Sequence, residues 1–215
     1  MPNDTTSFMQ AELVLSNLSK TFNRELLFKQ LNAALAPNSA TAITGRNGSG
    51  KSTLLKIIAG LQLPSEGSAV LRINNKAVAT EQHYQYLSFA APYIELIEEY
   101  TLQEMLAFYF KLKPLSPVLS LDQLPELLLL PKAKHKEIRS FSSGMKQRLK
   151  VGLAFFTEVP LLLLDEPTSH LDEEGKKWFL KNLQRVQDRT IIIASNEEEE
   201  IESCTQRIHI SDYTR

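Results

Sequence analysis

The spacing of apolar residues along the chain changes period several times, and each change predicts an element. "AELVL", Ala11–Leu15, alternates apolar and polar residues as a half-buried strand does. "ATAIT", Ala40–Thr44, is a short apolar strand that runs into a glycine-rich turn; a helix follows from about Lys51, with Gly60 placed to end it. "SAVLRI" followed by Asn74 and Asn75 reads as a strand and a turn, and "YLSFAA" as a strand ending near Ala91. After Pro92 the texture changes. "TLQEMLAFYFKL" places Leu102, Met105, Leu106 and Tyr109 on one helical face, and Pro114, Pro117, Pro125 and Pro131 then interrupt the chain. The segment 92–141 reads as a mostly helical lobe inserted into an α/β body. Beyond it come a helix from Gly144, the strand "LLLLD", a helix around Trp178 to Val186, the strand "TIIIA", an acidic helix and a last strand "RIHI". Alternating strands and helices predict a largely parallel sheet. Such sheets bind ligands beyond the carboxyl ends of their strands.

Composition narrows the picture only a little. At 215 residues and 43% hydrophobic, the chain can bury one α/β core with an inserted lobe. A formal net charge of −1 gives no general attraction to nucleic acid or acidic membrane, so no direct nucleic-acid partner is expected. Cys204 is the one cysteine, which excludes a disulfide framework and suits a reducing cytosol. "MPNDTTSFMQ" lacks the basic and apolar segments of a secretory signal. The leucine runs Leu127–Leu130 and Leu161–Leu164 fall far short of the ~20 apolar residues a membrane helix needs.

Two strand ends carry candidate chemistry. "GRNGSGKST", Gly45–Thr53, fits the phosphate-loop pattern of glycine, four residues, then Gly-Lys-Ser. Glycines let successive N–H groups from Gly45, Arg46, Asn47, Gly48, Ser49 and Gly50 turn inward around an anion. The helix beginning at Lys51 adds its positive end. Lys51 can reach the terminal phosphates, and the Ser52 hydroxyl can ligate Mg²⁺, with Thr53 completing the motif. "LLLLDEP", Leu161–Pro167, is a strand buried on both faces that ends in two adjacent carboxylates. Such a pair is costly there unless a cation or ligand engages it. Asp165 would support Mg²⁺ and Glu166 would orient or deprotonate an attacking water. The plain alternative is a helix cap at a strand end.

In order, "GRNGSGKST", "FSSGMKQR" and "LLLLDEPTSHLD" resemble the nucleotide-binding subunit of ABC (ATP-binding cassette) transporters, and the resemblance runs from about Ala11 to Ile210. It implies a P-loop NTPase fold: a mostly parallel core sheet, an antiparallel β part near the N-terminus and a helical subdomain at 92–141, within one domain spanning 10–215. It also implies ATP and Mg²⁺ as cofactors, and a pair of cassettes closing around two ATP molecules. "FSSGM", Phe141–Met145, matches the signature loop that closes on the partner cassette's γ-phosphate, through Ser142 and Gly144. Read alone, it is equally an ordinary helix cap. Phe22 falls where the family stacks an aromatic ring on adenine, and Ser169–Asp172 where it contacts the opposite subunit.

Three positions depart from the family. Where a glutamine usually touches Mg²⁺ stands Pro92, which has no side-chain donor or acceptor, and Gln85 lies seven residues too early. The signature ends in Met145 in place of Gln, although "SSGMKQR" looks like many bacterial export-type cassettes. Asn196 stands where the family has a switch histidine. Its amide can donate to a phosphate oxygen but cannot become cationic, so the resemblance implies slowed hydrolysis. Asn196 could also cap the acidic helix that starts near Glu197. His83, His135 and His209 read as surface or loop residues. The resemblance therefore implies an ATPase subunit on the cytoplasmic face of a membrane, powering a separate transmembrane chain. Its rivals are a soluble ABC-type ATPase acting on ribosomes or nucleic acid, and a weakly hydrolysing regulatory module.

Overall fold

The computed structural model describes residues 9–23 and 25–214. The reading of the N-terminal stretch as lacking a leader falls mainly on residues 1–8, outside the described residues. Five parallel strands form the central sheet: β3 (Ala40–Thr44), β6 (Leu87–Ala90), β7 (Leu161–Asp165), β8 (Thr190–Ala194) and β9 (Gln206–His209), in the order β6-β7-β8-β3-β9. A second, antiparallel sheet takes the order β2-β1-β4-β5, from β1 (Ala11–Phe22), β2 (Glu25–Leu35), β4 (Glu66–Ile73) and β5 (Lys76–Ala77). Asn74 and Asn75 make the two-residue turn between β4 and β5, both with positive φ, which asparagine tolerates better than most residues.

The core strands are buried on both faces because both faces are apolar. Leu162 and Leu164 of β7, with Ile191 and Ile193 of β8, join one cluster with α4 (Ser143–Phe156) and α5 (Glu173–Leu183). Leu161 and Leu163, with Ile192 and Ala194, point the other way, toward α1 (Lys51–Ile58) and the antiparallel sheet. All four leucines of β7 are fully buried. Each such burial stabilises the fold by roughly 1.5–3 kcal/mol, so the strand is fixed well beyond its own backbone bonds.

Between residues 92 and 141 the chain forms α2 (Leu102–Leu112), the one-turn α3 (Leu124–Leu127) and short 3₁₀ turns. Thr101 caps α2 in a reciprocal box with Glu104, and Leu102, Met105 and Leu106 are its buried face. Pro125 and Pro131 stand in the first turn of α3 and of a 3₁₀ turn, where a missing N–H costs nothing. This segment shares its apolar cluster with α4 and α5, which keeps it attached to the sheet. Gly60 ends α1 in the left-handed conformation, with its N–H bonded to Ile57 O and that of Leu61 to Lys56 O. His83 is not a surface residue. It is buried, and its Nδ1 lies 2.9 Å from Ile58 O, so a ring that looked free from the sequence anchors a 3₁₀ turn to the end of α1.

Candidate functional site

The parallel register brings four strand ends to one level. Ile43 of β3 and Asp165 of β7 both sit beside Ala194 of β8, and Ala90 of β6 sits beside Leu164. The residues that follow β3, β6, β7 and β8 therefore leave the sheet together, at its carboxyl edge.

After β3 the loop Gly45–Gly50 turns back over the N-terminus of α1. Gly50 takes φ 106°, and a Cβ there would meet the Phe28 ring at 3.2 Å, so the turn into the helix needs glycine on both counts. Lys51 is buried, and its ammonium donates to Gly45 O at 2.7 Å and Arg46 O at 3.4 Å. An ammonium held by the loop's own carbonyls is poised to exchange them for phosphate oxygens. A cavity of about 170 Å³ over this loop is lined by Asn47, Gly48, Gly50, Lys51, Ser52, Thr53, Leu27 and Glu166.

Asp165 is buried, and neither of its carboxylate oxygens has a hydrogen-bond partner among the described residues. Burial raises its pKa above the usual carboxylate range, and the charge of Glu166 adds to this; the hydroxyls of Ser52 and Tyr93 and the charge of Lys51 work in the opposite sense. A cation beside it would remove the cost of the buried charge. Mg²⁺ takes oxygen ligands, keeps several waters and suits one or two carboxylates with phosphates. Asp165 and Ser52 fit that demand.

Glu166 adopts φ 45°, a left-handed conformation uncommon for a residue with a side chain. Its N–H donates to Ala194 O at 2.9 Å, and buried Gln147 of α4 donates to the carbonyls of Glu166 and Pro167 at 3.3 and 2.9 Å. The turn separates the two carboxylates: Asp165 stays in the sheet, while Glu166 is exposed and lines the phosphate-loop cavity. Glu166 and Asn47 also line a second cavity of about 410 Å³, formed by the loops after β7 and β8.

That second cavity holds Asn196. Its Oδ1 accepts from Gly45 N at 3.4 Å, and its Nδ2 donates to Asn47 Oδ1 at 3.3 Å. Asn196 therefore does not cap α6 (Glu198–Glu202), as the sequence left open. Glu197 holds the cap position, and its N–H donates to Ser195 Oγ at 2.9 Å. Glu200 of α6 is buried in the same cavity wall and accepts from the N–H of Thr168 at 3.2 Å and from its hydroxyl. It ties the loop beyond Glu166 to the helix beyond Asn196. Burial raises the pKa of its carboxyl, against the donors Ser195 and Thr168.

The other sequence candidates lie apart. Ser142 caps α4 by accepting from Met145 N at 3.2 Å. Gly144 passes close to the next loop, where a Cβ would come within 2.9 Å of His170 O. Neither lines the phosphate-loop cavity of its own chain. Asp172 caps α5 through Gly175 N at 2.8 Å and receives Arg148 at 3.4 Å. Phe22 is 43% exposed at the β1–β2 hairpin, with the Lys20 ammonium 4.7 Å from its ring centre. It is not a core residue, and one face of its ring stays free of that lysine. Sequence reasoning missed Glu200 and Leu27, which no motif spacing marks, and gave Gln147 no role of its own although it lies within "FSSGMKQR". Cys204 is half-buried, and burial, then the charge of Glu200, pushes its thiol up to about 11, in keeping with an inert thiol.

The ABC transporter family profile matches residues 28–169. The chain is 30% identical to the sulfate/thiosulfate import ATP-binding protein CysA of Thermosynechococcus vestitus, over 90% of this chain and 60% of that one. It is 29% identical to the linearmycin resistance ATP-binding protein LnrL of Bacillus subtilis, over 95% and 66%. The chain thus spans about two thirds or less of the length of these relatives. Among solved structures, a dimeric bacterial ABC transporter cassette shares the fold at a TM-score of 0.78 and 22% identity, covering 92% of this chain and 93% of that one. Phosphate loop, acidic strand end and fold agree, and the chain belongs to the ABC transporter family as one of its nucleotide-binding domains.

Proposed function

We propose that this chain binds ATP with Mg²⁺ over Gly45–Thr53, hydrolyses it with the help of Glu166, and powers a transporter whose membrane-spanning part is a separate chain. The observation that carries the reading is the pair of buried Asp165 oxygens, unpartnered among the described residues, with Ser52 and Glu166 both lining the phosphate-loop cavity. Asp165 and Ser52 would hold the cation, and the cation would supply charge neutralisation at the phosphates. The chain's own residues do the rest. Loop N–H groups and Lys51 orient the phosphates, Asn196 donates to them, and Glu166 orients a water and accepts its proton. Ser142 and Gly144 serve the ATP of a second cassette across an ATP-dependent dimer, since they do not face their own loop. Phe22 offers its free face to adenine.

Among the described residues no helix is long and apolar enough to cross a membrane. The reading therefore places the chain at the cytoplasmic face of a membrane through its partner, with residues 92–141 as a helical subdomain of a single cassette. The sequence Ser142–Arg148 favours an export-type partner. The test is capture of the chain from membranes of its source cells. A stoichiometric multi-span protein is expected, and joint reconstitution in vesicles should raise phosphate release. Capture with ribosomes instead would overturn the transport reading.

Asn196 yields a prediction that the structure sharpens. Because it caps no helix, Asn196→Ala should leave the melting temperature nearly unchanged. If it donates to a phosphate oxygen, the loss should be about 1–3 kcal/mol of transition-state stabilisation, roughly 5- to 150-fold in rate at constant ATP affinity. Single-turnover hydrolysis on the alanine variant measures this directly, and full rate would remove Asn196 from the mechanism. Asn196→His should restore or raise turnover, with a new pH dependence near the imidazole value of ~6.5.

A further inference from the structure

We propose that Glu200 is a positioning residue for hydrolysis: by accepting from the backbone N–H and the hydroxyl of Thr168, it holds the turn that carries Glu166. The inference rests on the reading of Glu166 as the group that orients the attacking water.

Backbone bonding in the turn after β7 shows what has to be held from outside. Glu166 N donates to Ala194 O at 2.9 Å, Pro167 has no N–H, and Ser169 N closes back on Glu166 O at 3.1 Å. Between them lies the N–H of Thr168, a residue buried in the wall of the cavity shared by Glu166 and Asn196. Its acceptor is not a backbone carbonyl but Glu200 Oε1, at 3.2 Å, and the same oxygen takes the Thr168 hydroxyl. Gln147 holds the turn from the other side, donating to the carbonyls of Glu166 and Pro167.

Glu200 is itself well anchored. Ser195 N donates to Ile43 O at 3.1 Å, Glu197 N to Ser195 Oγ at 2.9 Å, and Ile201 N to Glu197 O at 3.1 Å, which fixes the first turn of α6 to the end of β8. Glu198 and Glu199 are exposed, whereas Glu200 is 1% exposed and turned onto Thr168. A buried carboxylate is rare unless it is paired, and a charged acceptor bonds more strongly than a neutral one. Glu200 does not line the phosphate-loop cavity, so its effect falls on the turn and not on the nucleotide. Without the carboxylate, the Thr168 N–H would be buried with no acceptor, a cost the turn relieves by opening toward water. Glu166, two residues earlier, would move with it. A displacement of about 1 Å at a reacting group can cost on the order of 10²-fold in rate.

The experiment measures the single-turnover rate and the Kd for ATP in the wild type, Glu200→Ala, Glu200→Gln, Thr168→Val and the double variant Glu200→Ala/Thr168→Val. Kd should be unchanged in all of them. The rate should fall about 30- to 100-fold in Glu200→Ala. Glu200→Gln keeps an oxygen for Thr168 and should recover most of that loss. Thr168→Val removes the hydroxyl and keeps the N–H, and should lose about three- to tenfold, the effect of one net hydrogen bond. The double variant should be no slower than Glu200→Ala, because both changes act through one contact. Full rate in Glu200→Ala overturns the inference and leaves the ATPase reading standing. Equal losses in Glu200→Ala and Glu200→Gln, or losses that multiply in the double variant, also overturn it. A Kd that weakens in step with the rate assigns Glu200 to binding or folding and does the same. Should Glu200→Ala fail to fold, Thr168→Val carries the test, and full rate there overturns the inference. A wild-type chain that hydrolyses no ATP removes the reading of Glu166 and this inference together.

Discussion

Lys51→Ala will lose most of its affinity for ATP and keep its fold. The ammonium is buried against the carbonyls of Gly45 and Arg46, at the point where the loop closes over the start of α1. On the proposed reading, bound nucleotide would replace those contacts with its terminal phosphates. Truncating one partner of a desolvated charge pair costs about 2–5 kcal/mol, or roughly 30- to 5000-fold in Kd. The fold should survive because the loop keeps its shape by other means: Ser49 N donates to Arg46 O, and Leu54 N to Gly50 O. Calorimetry on a variant of normal circular dichroism measures the loss. Unchanged affinity would contradict the assignment of the loop.

Glu166→Gln addresses the chemistry and spares binding. The amide keeps the size of the carboxylate but cannot accept a proton, so turnover should fall by about 10²- to 10⁴-fold, the usual contribution of a general base. ATP affinity should hold, because Lys51, Ser52 and the loop N–H groups are untouched. The backbone should not move either, since the left-handed turn at Glu166 is fixed by bonds to Ala194 and Gln147, which the substitution leaves in place. Slow turnover with intact binding should accumulate the ATP-bound dimer. Sedimentation at saturating ATP measures that directly. A variant that stays monomeric at saturating ATP would contradict the two-cassette arrangement for the isolated chain.

Some of this site was legible in the residues and some was not, for physical reasons. The loop Gly45–Thr53 and the pair Asp165–Glu166 announced themselves because their chemistry forces residue types into fixed spacing on a strand and its following turn. The central strands were equally plain: "LLLLD" and "TIIIA" are apolar at every position because both faces are covered. β2 was not legible. Phe28, Leu31 and Leu35 stand three and four apart, a helical spacing, because positive-φ kinks at Gln30 and at Asn17 on β1 slip the alternation of the pair. Glu200 was hidden in a run of glutamates that reads as a solvated helix start, although one of the four turns inward onto Thr168. The direction of Asn196 depended on the register of β8 against β3, which sets it level with Gly45 and away from the helix it precedes.

The central claim is that this chain hydrolyses ATP at its own phosphate loop. Phosphate release from ATP by the purified chain tests it most directly, measured with Mg²⁺ and with EDTA, and in parallel for Lys51→Ala. The account predicts release that saturates with ATP, requires Mg²⁺ and disappears in the variant. Release that persists in Lys51→Ala, or none from a wild-type chain with ATP and Mg²⁺ bound, would contradict it.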